Sequence, residues 1–331
     1  MIKKVLLLLS IGYTCTLPAL DLTLLAKGVA QKYPDESLWA ASYQEGQHAL
    51  NVSNMRDEGL MQTIQLPSQF CKPLENIAWS PSQASRALAV KNRSQVRLIK
   101  LDTQTTITQL YPYEGCYGHP TTNAWSPRGK HIAIGDEHRI TVASFFERVP
   151  IEIKATKALD WTCSESPCLL QGNDQGAITQ YDCGQRAVVR HWKSSARKDN
   201  AVNALQSKPA DQQCIAGFQG GFIHTLDLRG QLDAPTHSLS FGSPVHHICA
   251  LSAPFVAAVS NNVPGWDAHE QSSIKVWDIR KVKTPLVAVQ RPFHAKHIAL
   301  IQLKGRMMVA VNNLAHQNCL LDLDCIQGED L

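Results

Sequence analysis

Side chains suited to molecular recognition are concentrated in a few short stretches of the 331-residue chain. Tyr, Trp and Arg combine a large contact area with a hydrogen-bonding or charged group, and they dominate binding hot spots. The candidate binding residues are Tyr113, Tyr117, His119, Trp192, Lys193, Arg197, Trp266, His269 and His297. Their types predict a surface that binds a protein or a peptide. The competing interpretation is that the rings pack over the ends of structural elements and the charges are only solvated.

Loop length supports the binding interpretation at one place. The stretch "NNVPGWDAHEQSS" (261–273) contains Trp266 and His269 and is the clearest insertion in the chain. A connection longer than the fold needs is often functional. We therefore expect this insertion to contribute to a binding surface.

Histidine suggests metal chemistry, because the chain has 13 of them. His246 and His247 are adjacent, so on a strand their side chains are expected to point to opposite faces. His294 and His297 could meet in a turn, but no third ligand is evident. The sequence also has no H-E-x-x-H pattern, no paired C-x-x-C and no Asp-rich calcium loop. It therefore predicts no metal site and no cofactor.

Signatures of catalysis are missing from the sequence. It has no G-x-S-x-G elbow, no phosphate-binding glycine loop and no dinucleotide fingerprint. The glycines of "GFQGGF" (217–222) lie in a strand-turn-strand frame without a following helix. We therefore predict no catalytic residues and a protein that is not an enzyme.

The elements that must position these residues form a repeat. Apolar strands end in Asp or Ser at intervals of 38 to 51 residues, at Ser53, Asp102, Ser144, Asp182, Asp227, Asp278 and Asp322. A period near 40 to 45 residues is typical of arrays with four strands per unit. The pattern therefore predicts seven similar all-β units.

A second marker precedes the Asp or Ser ends. The stretches "NIAWSPSQASRALAV" (76–90) and "NAWSPRGKHIAIG" (123–135) are near duplicates, and "ALDWTCSESPCLLQG" (158–172) follows the same plan. Each predicts a strand, a Ser/Pro turn and a second apolar strand. Asp174-Gln175-Gly176 then predicts a tight hairpin before the third strand.

These features resemble the WD-repeat (WD40-like) β-propeller family, with divergent repeats. The resemblance rests on Trp277-Asp278, Gly118-His119, three Trp-Ser/Thr pairs and the period, and it covers about residues 20–325. It implies an all-β fold with a single seven-bladed β-propeller of four-stranded antiparallel blades. The expected blades are 22–66, 75–114, 121–154, 157–193, 201–239, 245–292 and 297–325.

The resemblance also implies where binding occurs. In this family the commonest binding surface is the face that carries the connections between blades and the turns between second and third strands. The candidate binding residues are expected there. The predicted function is a non-catalytic scaffold that binds a protein or peptide partner, and the alternative is a propeller enzyme with a site in its central channel.

Arg280 raises a different alternative. The segment Trp277-Asp278-Ile279-Arg280 resembles the W-D-x-R signature of propellers that dock onto the adaptor of cullin-type ubiquitin ligases. In such an intracellular scaffold or substrate receptor, Arg280 would make the adaptor contact. The simpler interpretation is a solvated Arg in a basic turn with Lys281 and Lys283.

The first nineteen residues predict a secretory signal peptide. Lys3 and Lys4 precede the apolar run "VLLLL", and small or polar residues follow around 14–19. This is the order of a positively charged segment, an apolar segment and a cleavage region. We therefore expect a signal at 1–19, a propeller at 20–331, and a periplasmic or secreted protein without membrane insertion after signal removal. The alternative is that residues 2–9 are retained as a closing strand in a cytoplasmic protein.

Ten cysteines bear on the compartment. Removal of Cys15 with the signal would leave nine, an odd number, so at least one would have no partner within the chain. Cys163 and Cys168 are near enough in sequence to bridge across a hairpin if the strands align. The cysteine count therefore argues against export, whereas the N-terminus argues for it.

Composition excludes several other classes of protein. Hydrophobic residues make up 44% and charged residues 18% of the chain, which is typical of a globular protein and not of a disordered one. The formal charge of +4 is too small for an extended nucleic-acid-binding surface. No nucleic-acid partner is therefore expected.

Overall fold

The structure is a computed structural model of the chain. It describes residues 28–32, 38–44, 49–54, 59–67, 74–81, 87–101, 106–111, 119–136, 138–143, 148–151, 157–162, 168–193, 201–208, 212–229, 235–250, 254–262, 271–280, 284–291, 295, 297–303, 306–312 and 318–322. The predicted signal segment 1–19 lies outside these residues. Within the described parts, no helix is long and apolar enough to cross a membrane.

The described residues form 27 strands in seven antiparallel sheets, each built from strands that are consecutive in the chain. The first sheet contains β1 (Gly28–Lys32), β2 (Leu38–Gln44), β3 (Ala49–Asn54) and β4 (Gly59–Gln65). The second contains β5 (Leu74–Trp79), β6 (Ala87–Asn92), β7 (Val96–Lys100) and β8 (Thr106–Tyr111). The third contains β9 (Thr122–Trp125), β10 (Ile132–Gly135), β11 (Ile140–Ala143) and β12 (Arg148–Ile151).

The remaining sheets repeat this order. The fourth contains β13 (Ala158–Trp161), β14 (Cys168–Gly172), β15 (Ala177–Asp182) and β16 (Ala187–Lys193). The fifth contains β17 (Val202–Lys208), β18 (Gln213–Phe218), β19 (Phe222–Asp227) and β20 (His237–Ser240). The sixth contains β21 (His247–Ala250), β22 (Phe255–Asn262), β23 (Gln271–Asp278) and β24 (Val287–Arg291). The seventh contains β25 (His297–Leu303), β26 (Arg306–Asn312) and β27 (Asn318–Asp322).

The second strand of a sheet is buried on both faces. All residues of β6, β10 and β14 are buried, which explains why these segments read as continuous apolar runs. The fourth strand β16 is largely exposed, as expected for the outer edge of a sheet. The chain therefore places its most apolar strands between neighbouring sheets.

Consecutive sheets pack face to face through apolar clusters. Leu50 and Ile64 of the first sheet pack against Leu88 of the second, and six such clusters connect the sheets in chain order from the first to the seventh. The second to the sixth sheets therefore each contact a neighbour on both sides. The core is distributed around the array and is not concentrated at one centre.

Two glycines allow adjacent sheets to approach closely. A Cβ on Gly172, at the end of β14, would collide with Val202 at the start of β17. A Cβ on Gly217, in β18, would lie 2.5 Å from Cγ1 of Val245, which is two residues before β21. The end of a second strand thus contacts the start of the next sheet, and a side chain there would force the sheets apart.

The repeated Asp residues stabilise the turns after third strands. Asp182, Asp227 and Asp278 end β15, β19 and β23, and each carboxylate accepts a backbone N–H from two residues further on at 2.8 to 2.9 Å. This Asx geometry stabilises the exit from a strand. The periodic Asp is therefore a structural residue.

The predicted repeat agrees closely with the observed sheets. The third strands β3, β15, β19, β23 and β27 end at or within one residue of the predicted ends, and Gly176 has the positive φ of 76° that the predicted hairpin requires. Six sheets have the expected four strands, whereas the seventh has three within the described residues. A fourth strand in the seventh blade would lie outside the described residues, so that part of the expectation stays a prediction.

Candidate functional site

The opening residues of first strands and the turns between second and third strands lie on one side of the array, named here the rim face. Of the predicted binding residues, His119 and Lys193 are exposed next to this face, before β9 and at the end of β16. His297 is the first residue of β25. The other predicted positions at Tyr113, Tyr117, Arg197, Trp266 and His269 lie outside the described residues.

Trp192 is a correction to the predicted surface. It is only 5% exposed and packs in the apolar cluster between the fourth and fifth sheets, with Ile178, Val202 and Phe218. Because its strand alternates, Trp192 points inward while its neighbours His191 and Lys193 are exposed. Its indole is therefore a core group and not a surface anchor.

A cleft of about 300 Å³, lined by residues with polar or charged side chains, lies on the rim face. It is named here the rim cleft, and it spans the third to the sixth sheets. Its lining residues are Thr121, Lys157, Asn203, Gln219, His246, His247 and Asn261. Every one of them stands at the start of a first strand or near the end of a second strand.

The two amides of the fifth sheet hold each other in place. Asn203 Nδ2 donates to Gln219 Oε1 at 2.7 Å. Gln219 is anchored by its own backbone N–H, which donates to Ala201 O at 2.8 Å. Whichever way round the two amides are placed, one NH₂ group and one carbonyl remain for a ligand.

The sixth sheet supplies an oriented imidazole. Asn261 N donates to His246 Nδ1 at 3.1 Å, so this nitrogen is the acceptor and a neutral ring has its proton on Nε2. The Asn261 side chain is itself fixed, because its Nδ2 donates to Ala295 O and its Oδ1 accepts from Ser272 Oγ at 2.7 Å. The rim cleft is therefore supported by a buried hydrogen-bond network.

His246 and His247 both line the cleft. His246 directly precedes β21, and His247 is the first residue of that strand. Two imidazoles alone are too few for a protein metal site. Among the described residues, no group of three or more His, Cys, Asp or Glu side chains could hold a metal ion.

The charge of the rim cleft is positive. Lys157 is exposed and immediately precedes β13, and its backbone N–H donates to Gly172 O at 3.0 Å. The seven lining residues include no carboxylate and no thiol. Asp174 is exposed on the same face, in the turn between β14 and β15, but it does not line the cleft. The arrangement favours a ligand that accepts hydrogen bonds and carries negative charge.

Sequence reasoning missed Lys157, Asn203 and Gln219 because none belongs to an aromatic or histidine-rich stretch. The signal that would have found them is the repeat itself. Lys157 occupies the position before a first strand, and Gln219 follows a second strand, so both are assigned to the rim face by the strand count.

Arg280 pairs with its own Asp278. The guanidinium and carboxylate lie 2.7 Å apart, with the Arg side chain 69% exposed and the Asp side chain 5% exposed. Arg229 makes the same contact with Asp227 at 3.0 Å in the fifth sheet. In both pairs, hydrogen bonding to the carboxylate is the main cause that raises the pKa of the arginine. The same Arg–Asp contact therefore occurs in two sheets and is not special to the W-D-x-R segment. A docking role for Arg280 stays a prediction.

The predicted Cys163–Cys168 disulfide stays a prediction. Cys168 and Cys214 are buried, and Cys183 is partly buried. Thr162 N and Oγ1 both donate to Cys168 O, so the residue opposite Cys168 is Thr162. Cys163 follows Thr162 in the chain and lies outside the described residues.

One carboxyl group is enclosed between two sheets. Asp160 Oδ2, on β13, accepts a hydrogen bond from the backbone N–H of Ser207, on β17, at 2.5 Å. Asp160 as a whole is partly exposed, but its carboxyl group is enclosed. Burial raises the pKa of this carboxyl group to about 6, and backbone hydrogen bonds from Ser207 and Trp161 oppose the shift. Burial also raises the pKa of the neighbouring Cys214 thiol, and the nearby Asp160 adds to this shift.

Comparison with solved structures identifies the architecture. The structure of the β-propeller domain of Myceliophteria thermophila Cps50 (Swd1) aligns with a TM-score of 0.65 over 89% of this chain and 96% of that domain, at 14% sequence identity. At this identity the likeness shows the fold alone: the chain is an all-β propeller. No family model matches the sequence, and no curated protein does.

Proposed function

We propose that this chain is a non-catalytic scaffold of the WD-repeat type, which binds a protein or peptide partner on its rim face. The observation that carries this proposal is the rim cleft, an open depression formed jointly by four consecutive sheets of a propeller. Lining groups from different sheets, held by backbone and side-chain hydrogen bonds, form a preorganised surface for recognition.

The proposed ring has seven blades. The seven sheets and the six apolar clusters between them support this number. Closure then requires contact between β25 and β1, the first strands of the seventh and first sheets. Cysteine pairs introduced into β1 and β25 should cross-link in the folded chain, and pairs between β1 and β13 should not. Failure of every β1–β25 pair would contradict a closed ring of seven.

Partner recovery with a matched pair of variants tests the binding face. Gln219→Trp fills the rim cleft, whereas Gln185→Trp places the same bulk in the exposed turn after β15, on the opposite face. We expect a partner recovered with the tagged wild-type chain from its native cells to be lost with Gln219→Trp and kept with Gln185→Trp. Equal recovery by both folded variants would contradict binding on the rim face.

The proposal includes export of the protein. Lys3-Lys4, the apolar run and the small residues at 14–19 support a cleaved signal, and burial of the Cys214 thiol is compatible with an oxidising compartment because a buried thiol is inert. The intact mass and N-terminal sequence of the native protein test it. Loss of about nineteen residues supports export, and a chain that still begins at Met1 or Ile2 supports a cytoplasmic protein with a closing strand.

A further inference from the structure

We infer that the rim cleft binds the side-chain carboxylate of an acidic residue in a peptide segment of the partner. This inference rests on the proposed binding function and adds the chemistry of the ligand. It follows from the lining groups, which supply hydrogen-bond donors and positive charge without a competing acid.

Lys157 provides the charge. Its side chain is exposed at the start of β13, and none of the described hydrogen bonds or ion pairs uses its ammonium group. A carboxylate in the cleft would accept a charge-assisted hydrogen bond from this ammonium group. Such a bond is about twice as strong as a hydrogen bond between neutral groups. A cationic ligand would instead be repelled.

An amide group provides direction. The Asn203–Gln219 pair leaves one NH₂ donor for a ligand. This donor comes from the fifth sheet, whereas Lys157 comes from the fourth. A carboxylate with two acceptor oxygens can therefore be contacted from more than one sheet at once.

The size of the cleft favours a side chain over a folded surface. A cavity of about 300 Å³ is at the lower end of the range for ligand sites and accommodates an Asp or Glu side chain with adjoining backbone. The exposed Lys193 and His119 lie next to the same face, where they can contact neighbouring acidic residues of the same segment.

A random peptide library selected on the wild-type chain tests the inference. We expect the selected peptides to share an Asp or Glu at one position, and its replacement by Asn or Gln should weaken binding about tenfold. Lys157→Gln should cause a similar loss. Lys130→Gln, the same change at an exposed lysine in the turn between β9 and β10 on the opposite face, should not.

A charge reversal distinguishes recognition from a structural effect. Lys157→Glu should weaken binding of the acidic peptide more than Lys157→Gln does. The same variant should bind more tightly the peptide in which Lys replaces the acidic residue. Selected peptides without a shared acid, or acidic peptides that bind Lys157→Gln as tightly as the wild type, would overturn the inference and leave the binding face intact. A folded wild-type chain that selects no peptide would overturn both the inference and the proposed function.

Discussion

The contacts between first strands differ between two halves of the propeller. From the second to the fourth sheet, a Trp indole reaches back to the preceding sheet: Trp125 Nε1 donates to Ala78 O, and Trp161 Nε1 donates to Ala124 O, both at 3.0 Å. From the fourth to the sixth sheet, the donor still lies in the following sheet, but the side chain of the hydrogen bond comes from the preceding sheet. Asp160 Oδ2 and Gln206 Oε1 accept backbone N–H groups of Ser207 and Ala250 in the following sheets, both at 2.5 Å.

We name the first kind Trp junctions and the second kind acceptor junctions. Both kinds use neighbouring positions of the repeat, since Asp160 directly precedes Trp161 and Gln206 directly precedes Ser207. Each junction satisfies at least one donor and one acceptor, and Gln206 Nε2 also donates to Ala250 O at 3.4 Å. The comparison shows that a repeat can lose its signature Trp and still connect its sheets. In the acceptor junctions, a side chain of the preceding sheet accepts a backbone N–H of the following sheet, so the buried polar groups still have partners.

The largest effect is expected when a Trp junction is broken. Trp161 is 2% exposed, so Trp161→Ala removes a large buried side chain and should lower the free energy of unfolding by about 3–5 kcal/mol. Urea-induced unfolding measures this. Trp161→Phe keeps most of the apolar contact and removes the indole N–H, so a loss of about 1–2 kcal/mol is expected. Equal losses for both variants would show that the indole hydrogen bond dominates and packing does not.

The second effect is a pH dependence confined to one acceptor junction. The pKa of Asp160 is raised from 3.8 to about 6 in the folded chain, so between these values the folded state binds a proton that the unfolded state has lost. Stability from this group is therefore present at low pH and is lost as the pH rises through about 6. Allowing for partial exposure, the change is about 2 kcal/mol.

Asp160→Asn should remove this pH dependence, because an amide keeps the acceptor for Ser207 N but does not titrate. Urea midpoints measured from pH 4 to pH 7 test it. Gln206→Glu is the matched reverse variant, which places a carboxyl at the same position of the next junction and should introduce a similar dependence. An unchanged profile for Asp160→Asn would show that other groups determine it.

A smaller effect is expected at the second acceptor junction. Gln206→Ala leaves Ala250 N without its side-chain acceptor, but Ala250 is partly exposed and water can replace the amide. We expect a loss of about 1 kcal/mol in the free energy of unfolding. Gln206→Met keeps the side-chain length without the acceptor and should lower the free energy of unfolding by a similar amount. A Met variant as stable as the wild type would show that the loss in Gln206→Ala comes from packing.

The smallest effect is expected away from both kinds of junction, in the D-x-R turns. Arg280 and Arg229 pair at the surface with Asp278 and Asp227, and exposed ion pairs contribute little to stability. Arg280→Ala and Arg229→Ala should both leave thermal unfolding unchanged within error. Asp278→Ala should be clearly destabilising, because this buried carboxylate also accepts Arg280 N. A partner lost with Arg280→Ala alone would support the predicted adaptor contact.

Much of the fold could be predicted from the sequence because it repeats. The recurring Asp marks strand exits, as the Asx contacts of Asp182, Asp227 and Asp278 explain, and the Trp-Ser/Thr pairs mark first strands whose indoles connect sheets. Local chemistry of this kind is visible in a single sequence. The surface was predicted less well: Trp192 has the residue type of a binding anchor, but strand alternation buries it.

The sequence by itself determined the all-β class, the order of the strands and the boundaries of the sheets, because strand period and turn chemistry are local properties. Only the tertiary structure decided which side chains meet. Lys157, Gln219 and His247 come from three sheets and are separated by up to 90 residues, and no spacing rule brings them together. Their proximity follows from the packing of successive sheets side by side, which turns equivalent positions of different repeats into neighbours around one cleft.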